Sequence, residues 1–440
     1  MKKIFSIILL IFAFGANSQS NQQSYSFSLQ QAISHALTNN YQAINASRDI
    51  ASAKQKKWET TASGLPQINA NVNYLNNFKI QQNQFTINGQ TNTISFGNYN
   101  SADASLQLSQ LIFDGSYIVA LQASKTYLKY YENAKQKTNT EIKEMVINAY
   151  GNVLLAEESV AILEKNKATL SKTLADTQEI YKNGLIEEEN VEQLQITLSA
   201  VNSSLSNTKR LLDITTKMLK LTLGIDINDD LKLTDKLDDL TVSNLDMAFS
   251  QGEFAVTNNI NYQMASNFQE QRSLELKLQK SKALPTLGAI VNFGSNTFGN
   301  RFTMFNNGQQ WFNYSNLGVG LSIPLFSSLG RSARTQQAKI AFEQAKTQLT
   351  ETEQKLKLLY ESSKSDYEFS IEEYATSKSN LNLAERIEKK QQIKFKEGLS
   401  SSFDFSEAQR QLYTAQQNYL QSMVNIINKK AALEKIINKN

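Results

Sequence analysis

The 440-residue sequence predicts a mixed α and β membrane protein. In this fold class a homotrimer forms a 12-stranded β-barrel, to which each chain contributes four strands, and a long α-helical coiled-coil tunnel continues the barrel. Three observations support the prediction. Two long segments almost lack glycine and proline, four shorter segments alternate between apolar and polar residues, and the order of these segments occurs twice along the chain.

The first residues predict a secretory signal peptide at residues 1–18. Lys2 and Lys3 supply a positive start, residues 4–14 are apolar, and Ala16 and Ser18 are small at the positions that precede a cleavage site. The apolar run is too short to cross a bilayer, which takes about 20 residues, although a retained membrane anchor is the alternative. The sequence has no cysteine, so it can form neither a lipidated cysteine nor a disulfide.

Composition excludes other classes of protein. The net charge of +4 is too small to indicate a nucleic-acid partner. Hydrophobic residues make up 40% of the chain, and no segment after the signal is a continuous apolar stretch of about 20 residues, so we predict no membrane helix. A membrane β-barrel remains compatible with this composition, because its strands alternate and give a weak hydropathy signal.

Two segments predict very long helices. Residues 331–397 contain no glycine or proline, and residues 116–183 contain only Gly151. Their apolar residues recur at steps of three and four, as in helices that pack side by side in a coiled coil. At about 1.5 Å per residue, each helix would be about 100 Å long. A solid helical bundle is the alternative that this periodicity alone leaves open.

The three prolines, Pro66, Pro285 and Pro324, lie beside segments with the period of a β-strand. Four such segments have about ten residues each, enough for a tilted strand to cross the apolar layer of a membrane. The alternating residues at their centres are 68–74, 104–109, 287–293 and 317–325. Segments rich in asparagine and glycine, around residues 81–101 and 295–314, connect them in pairs.

The chain contains an internal repeat at offsets between 213 and 221 residues. The matching runs are Leu65-Pro66 with Leu284-Pro285, residues 108–113 with 321–326, residues 181–185 with 395–399, and Asn40-Tyr41-Gln42 with Asn261-Tyr262-Gln263. We therefore expect a first repeat at residues 19–224, an acidic linker or equatorial region at 225–244, and a second repeat at 245–440. Each repeat contains a helix, a strand pair, a very long helix, a tight turn at Gly184 or Gly398, and a returning helix.

Four membrane-crossing strands cannot close a barrel by themselves. An open sheet would leave backbone N–H and C=O groups unpaired in lipid, at a cost of several kcal/mol each. Three copies supply twelve strands, enough for a lumen, whereas a barrel of about eight strands is filled by side chains. A lumen therefore requires more than two copies of the chain, although the number of strands alone does not establish that there are three.

The sequence has no pattern of a catalytic or metal site. It contains a single histidine, His35, and no cysteine, so no zinc or copper site of the usual spacing can form. It also lacks a glycine-rich phosphate loop and a Gly-x-Ser-x-Gly turn. We predict no enzyme activity and no cofactor. A trimeric coiled-coil surface or adhesion protein is the alternative class, which explains the long helices and the export but not the strand pairs.

These features together resemble the TolC family of outer-membrane efflux proteins, over residues 28–437. The resemblance depends on the duplicated pattern, the Leu-Pro pair before each strand pair, the repeated runs that end at Phe113 and Phe326, and the two turns with glycine. It implies a trimer in the outer membrane of a Gram-negative bacterium, with its tunnel in the periplasm. It also implies a periplasmic adaptor protein and an inner-membrane RND or ABC pump as partners, and passive exit of drugs or toxins, or type I secretion of proteins.

The family closes its tunnel at the periplasmic tip, and the resemblance places three gate positions in this chain. Phe395 stands where a gate tyrosine is usual, so the ring is kept and the hydroxyl is lost. Ser400 stands where some members carry an arginine, and Asn190 stands at a position that usually holds a gate carboxylate. The resemblance also implies that the helix tips at Tyr181, Gly184 and Gly398 contact the adaptor.

Asp404 and Glu407 match the two acidic positions of the family's selectivity rings. They are three residues apart, so they share one face of a helix. A trimer would repeat them into rings of about six carboxylates around a narrow bore, and such rings favour cations. The alternative is that both are ordinary solvated carboxylates, since aspartate and glutamate are usually exposed.

Overall fold

The computed structural model describes residues 23–246 and 254–437, so the predicted signal peptide at residues 1–18 lies outside the described residues. The first elements are β1 (Ser24–Phe27), α1 (Leu29–Asn39), α2 (Tyr41–Ala62), β2 (Gln67–Asn76), β3 (Gln82–Ile87), β4 (Gln90–Ser95), β5 (Asn100–Asp114), α3 (Gly115–Lys182) and α4 (Glu188–Leu223). They are followed by β6 (Asp230–Leu233), α5 (Leu237–Ser243), a 3-10 turn (Val256–Asn258), α6 (Ile260–Ser281), β7 (Thr286–Gly299), β8 (Phe312–Ser322), α7 (Gly330–Lys396) and α8 (Ser402–Ile437).

The two very long helices form as predicted. Helix α3 has 68 residues and α7 has 67, and neither is interrupted. One 18-residue window of α3 is apolar enough, by length and composition, to cross a membrane, although the sequence analysis predicts no such helix. Half of that window is buried within the chain, which is typical of a helix that packs in a protein core.

The contacts divide the chain into two units. The first unit contains the described parts of residues 1–48, 134–263 and 352–440. Its main core includes the fully buried Tyr150, Tyr367 and Met423. Beside this core β1 pairs in parallel with β6, which lies in the predicted acidic linker. His35 packs against the ring of Phe27 at 5.0 Å between centroids, and burial lowers the pKa of its imidazole.

The second unit, residues 49–133 and 264–351, contains a four-stranded antiparallel sheet in the order β2-β5-β7-β8. All four predicted strands are present, but β5 has 15 residues and β7 has 14, against about ten expected. These two are the central strands, so each has hydrogen-bonding partners on both sides. Strand β8 ends at Ser322, before Pro324, because residues 323–327 have no partner strand among the described residues.

A second hairpin, β3–β4, lies between β2 and β5 and was not predicted. Its turn is Asn88-Gly89, with φ values of +51° and +81°. Positive φ at both central residues is typical of the tight hairpin turn that Asn-Gly favours.

Two buried asparagines make the same pair of hydrogen bonds in the first unit. Asn40 Nδ2 donates to the carbonyl of Thr222 at 2.7 Å, and its Oδ1 accepts from the N–H of Gln42 at 2.8 Å. Asn259 Nδ2 donates to Ile436 O at 2.7 Å, and its Oδ1 accepts from Asn261 N–H at 2.8 Å. Each asparagine therefore caps the start of one helix, α2 or α6, and holds the end of a returning helix, α4 or α8. Asn259 therefore makes the bonds that Asn40 makes, although the sequence match pairs Asn40 with Asn261, two residues later.

Two buried tyrosines on the long helices α3 and α7 bond through their hydroxyls to backbone groups of other segments. Tyr150 on α3 donates its hydroxyl hydrogen to Phe27 O, at 3.0 Å, or to Asp235 Oδ2, at 3.1 Å. Tyr367 on α7 donates to Asn244 O, at 2.6 Å, and accepts from the N–H of Asp246 at 3.1 Å. Burial raises the pKa of both hydroxyls, so they remain protonated donors at neutral pH.

Candidate functional site

Two helical hairpins of the first unit end in turns of the same geometry. Gly184 joins α3 to α4, Gly398 joins α7 to α8, and both have φ of +72°. In each turn the glycine N–H bonds to the carbonyl three residues earlier, and the next residue, Leu185 or Leu399, bonds to the carbonyl five residues earlier. This is the Schellman helix end, which satisfies carbonyls that a helix otherwise leaves unpaired. Both glycines thus have the left-handed conformation that the sequence predicts, and Tyr181 lies on the last turn of α3.

Asp404 takes part in the N-terminal cap of α8. Its N–H donates to Ser401 Oγ at 3.1 Å, and its Oδ2 accepts from the Ser401 hydroxyl at 2.8 Å and from the Ser401 N–H at 3.3 Å. This reciprocal pattern is a capping box. The hydrogen bonds from Ser401 hold the pKa of the Asp404 carboxyl below its usual value, so it is ionised at neutral pH.

Glu407 has a cationic partner one helical turn further on. Arg410 donates to its carboxylate through Nε at 2.8 Å and Nη2 at 2.6 Å, and Gln411 donates at 3.1 Å. The bidentate bond from Arg410 is the main cause that lowers the pKa of the Glu407 carboxyl. The two carboxylates of the predicted acidic face therefore have different partners. Asp404 accepts hydrogen bonds from serines, whereas Glu407 forms an ion pair with the exposed Arg410.

Phe395 packs into the core of the hairpin pair. Its ring stacks on the fully buried ring of Phe405, with 5.4 Å between centroids and an interplanar angle of 8°. Phe405 belongs to a second apolar cluster with Leu170 and Leu194, and Phe395 covers one side of that cluster. The ring therefore links α7 to α8 by packing, a contact that needs no hydroxyl.

Asn190 joins the two hairpins at their tips. Its Oδ1 accepts from the N–H of Ser402, the first residue of α8, at 3.3 Å. One turn further from the tip, Thr197 of α4 bonds to Ser406 of α8 at 3.2 Å between the hydroxyl oxygens. Ser400 lies at 3.1 Å from Gln391 Oε1 and 3.4 Å from Asp404 Oδ2, so its hydroxyl bonds within its own hairpin.

Glu388 on α7 is a carboxyl of another kind. It is half-buried, and this burial raises the pKa of its carboxyl, while a hydrogen bond from Gln409 Nε2 at 3.5 Å opposes the shift. The nearby hydroxyl of Tyr413 also has a raised pKa, again mainly because it is buried. The tip thus combines two exposed, ionised carboxylates with one desolvated carboxylate.

An open groove of about 640 Å³ runs along the hairpins. Among its lining residues are Ile196 and Thr197 of α4 and Phe403, Glu407 and Arg410 of α8. No group of three histidine, aspartate or glutamate side chains able to hold a metal ion is present in the described ranges 23–246 and 254–437.

The structure brings Asn190, Phe395, Ser400, Asp404 and Glu407 into the tips of two hairpins that contact each other. The ion pair of Glu407 with Arg410 was not predicted from the sequence. The spacing of three residues between them on one predicted helix was the signal that could have identified the ion pair.

Comparison with known proteins agrees with this geometry. The family model for "Outer membrane efflux protein" matches residues 255–439. Outer membrane protein TolC of Escherichia coli (strain K12) is 23% identical to the chain, over 97% of this chain and 86% of TolC. The chain is thus similar to the outer membrane efflux protein family over residues 255–439, and to TolC over most of its length.

Solved structures of outer membrane channels share the fold of this chain. CusC has a TM-score of 0.76 at 16% identity, with 97% of this chain and 95% of CusC covered. The CmeC outer membrane channel of Campylobacter jejuni has a TM-score of 0.72 at 16% identity, with 96% of this chain and 90% of CmeC covered. These comparisons give no support to the alternative of a surface adhesion protein.

Proposed function

We propose that this chain acts as a trimer. Three chains would form one 12-stranded barrel in the outer membrane, and their helices would form a tunnel in the periplasm. The likeness to the outer membrane efflux protein family and to TolC supports an outer-membrane exit duct for efflux. The duct would carry out no catalysis and need no cofactor, and cargo such as drugs or toxins would pass through it from an RND or ABC pump.

The observation that carries the proposal is the open sheet. Within the described residues the chain supplies four strands to it, and β2 and β8 each leave one edge unpaired. Every residue of these two strands is exposed in the single chain. Unpaired backbone groups are too costly in lipid, so strands of other copies have to cover both edges.

The test is the mass and conductance of the purified protein. We expect detergent-extracted protein to have the mass of three chains by light scattering and to form pores in planar bilayers. A deletion strain should accumulate toxic compounds and recover when the gene is restored. A stable monomer that forms no pore would contradict the proposal. If secreted proteins disappear from the medium of the deletion strain instead, type I secretion is the main activity.

The two-repeat organisation remains our proposal for the domains: residues 19–224, an acidic linker or equatorial region at 225–244, and residues 245–440. The matched bonds of Asn40 and Asn259 support it, because their partners Thr222 and Ile436 lie near the ends of the two returning helices.

We propose that Asp404 and Glu407 make the pore tip selective for cations. In planar bilayers the double variant Asp404→Asn with Glu407→Gln should shift the reversal potential in a KCl gradient toward zero, because the rings lose their negative charge. The structure adds an opposite expectation for Arg410→Gln. Removing the cation that neutralises Glu407 should increase cation selectivity.

Exposed residues on another helix supply the control for this experiment. Asp213 pairs with Lys217 on α4, so Asp213→Asn removes a similar exposed carboxylate. Its reversal potential should match that of the unmodified protein. Equal reversal potentials in all variants would show that neither carboxylate faces the ion path.

We also propose that the turns at Gly184 and Gly398 contact a periplasmic adaptor. Each turn leaves an apolar side chain exposed at the tip, Leu185 and Leu399, and Tyr181 is partly exposed beside the first. Cysteines at Lys182 and Lys396 should crosslink to the adaptor in pump complexes isolated from native membranes. A cysteine at the exposed Asn202, further along α4, is the matched control. Equal capture from all three positions would contradict contact at the tips.

A further inference from the structure

The two strand pairs of the sheet obey a single register rule. In β2–β5, Gln67 lies opposite Ser109 and Val72 lies opposite Ala104. The sequence repeat has an offset of 219 residues at Leu65–Leu284 and of 213 at Leu108–Leu321. We add 219 to the residue numbers of β2 and 213 to those of β5. The two pairs then become Thr286 opposite Ser322 and Val291 opposite Leu317. Both are observed in β7–β8, and the rule reproduces all ten pairs of β2 with β5.

The pairing between β5 and β7 has no counterpart in the part of the chain that the structure describes. The same rule turns β5 into β8 and β7 into β2, and these are the two outer strands of the sheet. Their partner surfaces can meet only between copies of the chain. We infer that β8 of one subunit pairs antiparallel with β2 of the next, in the register of β5–β7. This inference rests on the trimer proposed above.

The register follows directly from the observed pairs. Leu108 opposite Val291 becomes Leu321 opposite Val72 of the neighbouring subunit. Leu106 opposite Phe293 becomes Val319 opposite the neighbour's Tyr74. All four of these edge residues are exposed in the single chain, Val72 by 81%.

The alternation of side chains supports this register independently. Along β2 the residues Ile68, Val72 and Tyr74 lie on one face, and along β8 the residues Val319 and Leu321 share one face. The inferred register sets these apolar faces on the same side of the joined sheet. A slip of one residue would place every apolar side chain of one strand beside the polar face of the other.

The register also assigns a role to residues 323–327, which follow β8 without a strand partner. In β5 the pairing with β7 shifts between Leu111 and Phe113, so Ile112 is a bulge, and Phe113 lies opposite Leu287. The counterpart of the bulge is Leu325, and Phe326 then lies opposite Ile68 of the neighbouring subunit. Assembly would therefore lengthen β8 beyond Ser322.

The hydrogen bonds of the carbonyl before each bulge residue agree with the equivalence of Ile112 and Leu325. Leu111 O accepts from the side chain of Gln110 at 2.6 Å. Pro324 O, its counterpart, accepts from Arg331 Nη1 at 2.6 Å. In both places a side chain donates a hydrogen bond to the carbonyl oxygen. This oxygen therefore needs no donor from the neighbouring strand.

Disulfide trapping tests the register, because the natural sequence has no cysteine. The variant L321C with V72C should give a covalent trimer on non-reducing gels after oxidation with copper phenanthroline. Directly opposite residues have Cα atoms about 4.5–5.5 Å apart, within the range of a disulfide. The shifted variants L321C with A70C and L321C with Y74C place the cysteines on a diagonal of about 7–8 Å and should not crosslink.

A second set of variants tests the bulge. F326C with I68C should crosslink, and L325C with I68C should not. Each single cysteine variant is a control for random collision. The mass of every variant under reducing conditions shows whether it still assembles.

The outcomes separate this inference from the proposed trimer. Crosslinking of a shifted variant in place of L321C with V72C would overturn the register, although the subunits would still pair. No crosslink in any variant that retains the mass of three chains would overturn the strand pairing itself. No crosslink together with the mass of a monomer would remove the proposed trimer as well.

Discussion

Replacing Gly224 by alanine is expected to cause a large loss of stability. Gly224 ends α4 with φ of +76°, a conformation that costs a residue with Cβ about 1–2 kcal/mol. A Cβ atom would also overlap the carbonyl oxygen of Asn39 and lie 2.6 Å from its carbonyl carbon. These are backbone atoms at the junction of α1 and α2, so they cannot rotate away. We expect a total cost on the order of 3 kcal/mol or more.

The measurement is the thermal unfolding of purified protein, followed by circular dichroism. Gly184→Ala and Gly398→Ala are matched controls, since both glycines have φ of +72° and nothing lies within 4 Å of the added Cβ. Each control should lose only about 1 kcal/mol. If all three variants lose equal stability, the close approach to Asn39 contributes nothing.

Asn40→Ala and Asn259→Ala are also expected to cause large losses, about 2–4 kcal/mol each. Each substitution leaves a buried helix-end carbonyl and a helix-start N–H without their partner. Asn40 is 6% exposed and Asn259 is 2% exposed, so water cannot readily replace the lost bonds. The two losses should be similar, because the two side chains make the same bonds. Thermal unfolding of each variant checks the expectation.

Two further variants identify which bond matters. Asn40→Asp keeps the acceptor for Gln42 N–H but removes the donor to Thr222 O, so it isolates the bond to the returning helix. Asn202→Ala, at an exposed position of α4, should change the stability little. A loss for Asn40→Ala no larger than that of Asn202→Ala would contradict the role of the buried pair.

Residue type and period predicted the large elements of the fold. The absence of glycine and proline predicted α3 and α7, and the alternation predicted the strands of the four-stranded sheet. The hairpin β3–β4 was not predicted, although Asn88-Gly89 is a strong local signal for a hairpin turn. The pairing of β1 with β6 had no such signal. Each strand has four residues, and the two are about 200 positions apart in sequence, so no local pattern connects them.

The candidate site was predictable to the same extent. Glycine type alone predicted the left-handed turns at Gly184 and Gly398. The stacking of Phe395 on Phe405 and the bond from Ser402 N–H to Asn190 could not be predicted, because they depend on how separate helices pack. The sequence also did not show that Asp404 caps α8. Its partner, Ser401, is a residue type that is common in many other contexts.

The open edges of β2 and β8 have a consequence for biogenesis. In the proposed trimer, a subunit that has not yet assembled would carry two long, unprotected strand edges, and such edges pair indiscriminately with other chains. Correct assembly therefore competes with aggregation, and aggregation gains as the concentration of unassembled subunits rises. A chaperone that shields these edges during transit to the outer membrane would resolve that competition in favour of the channel.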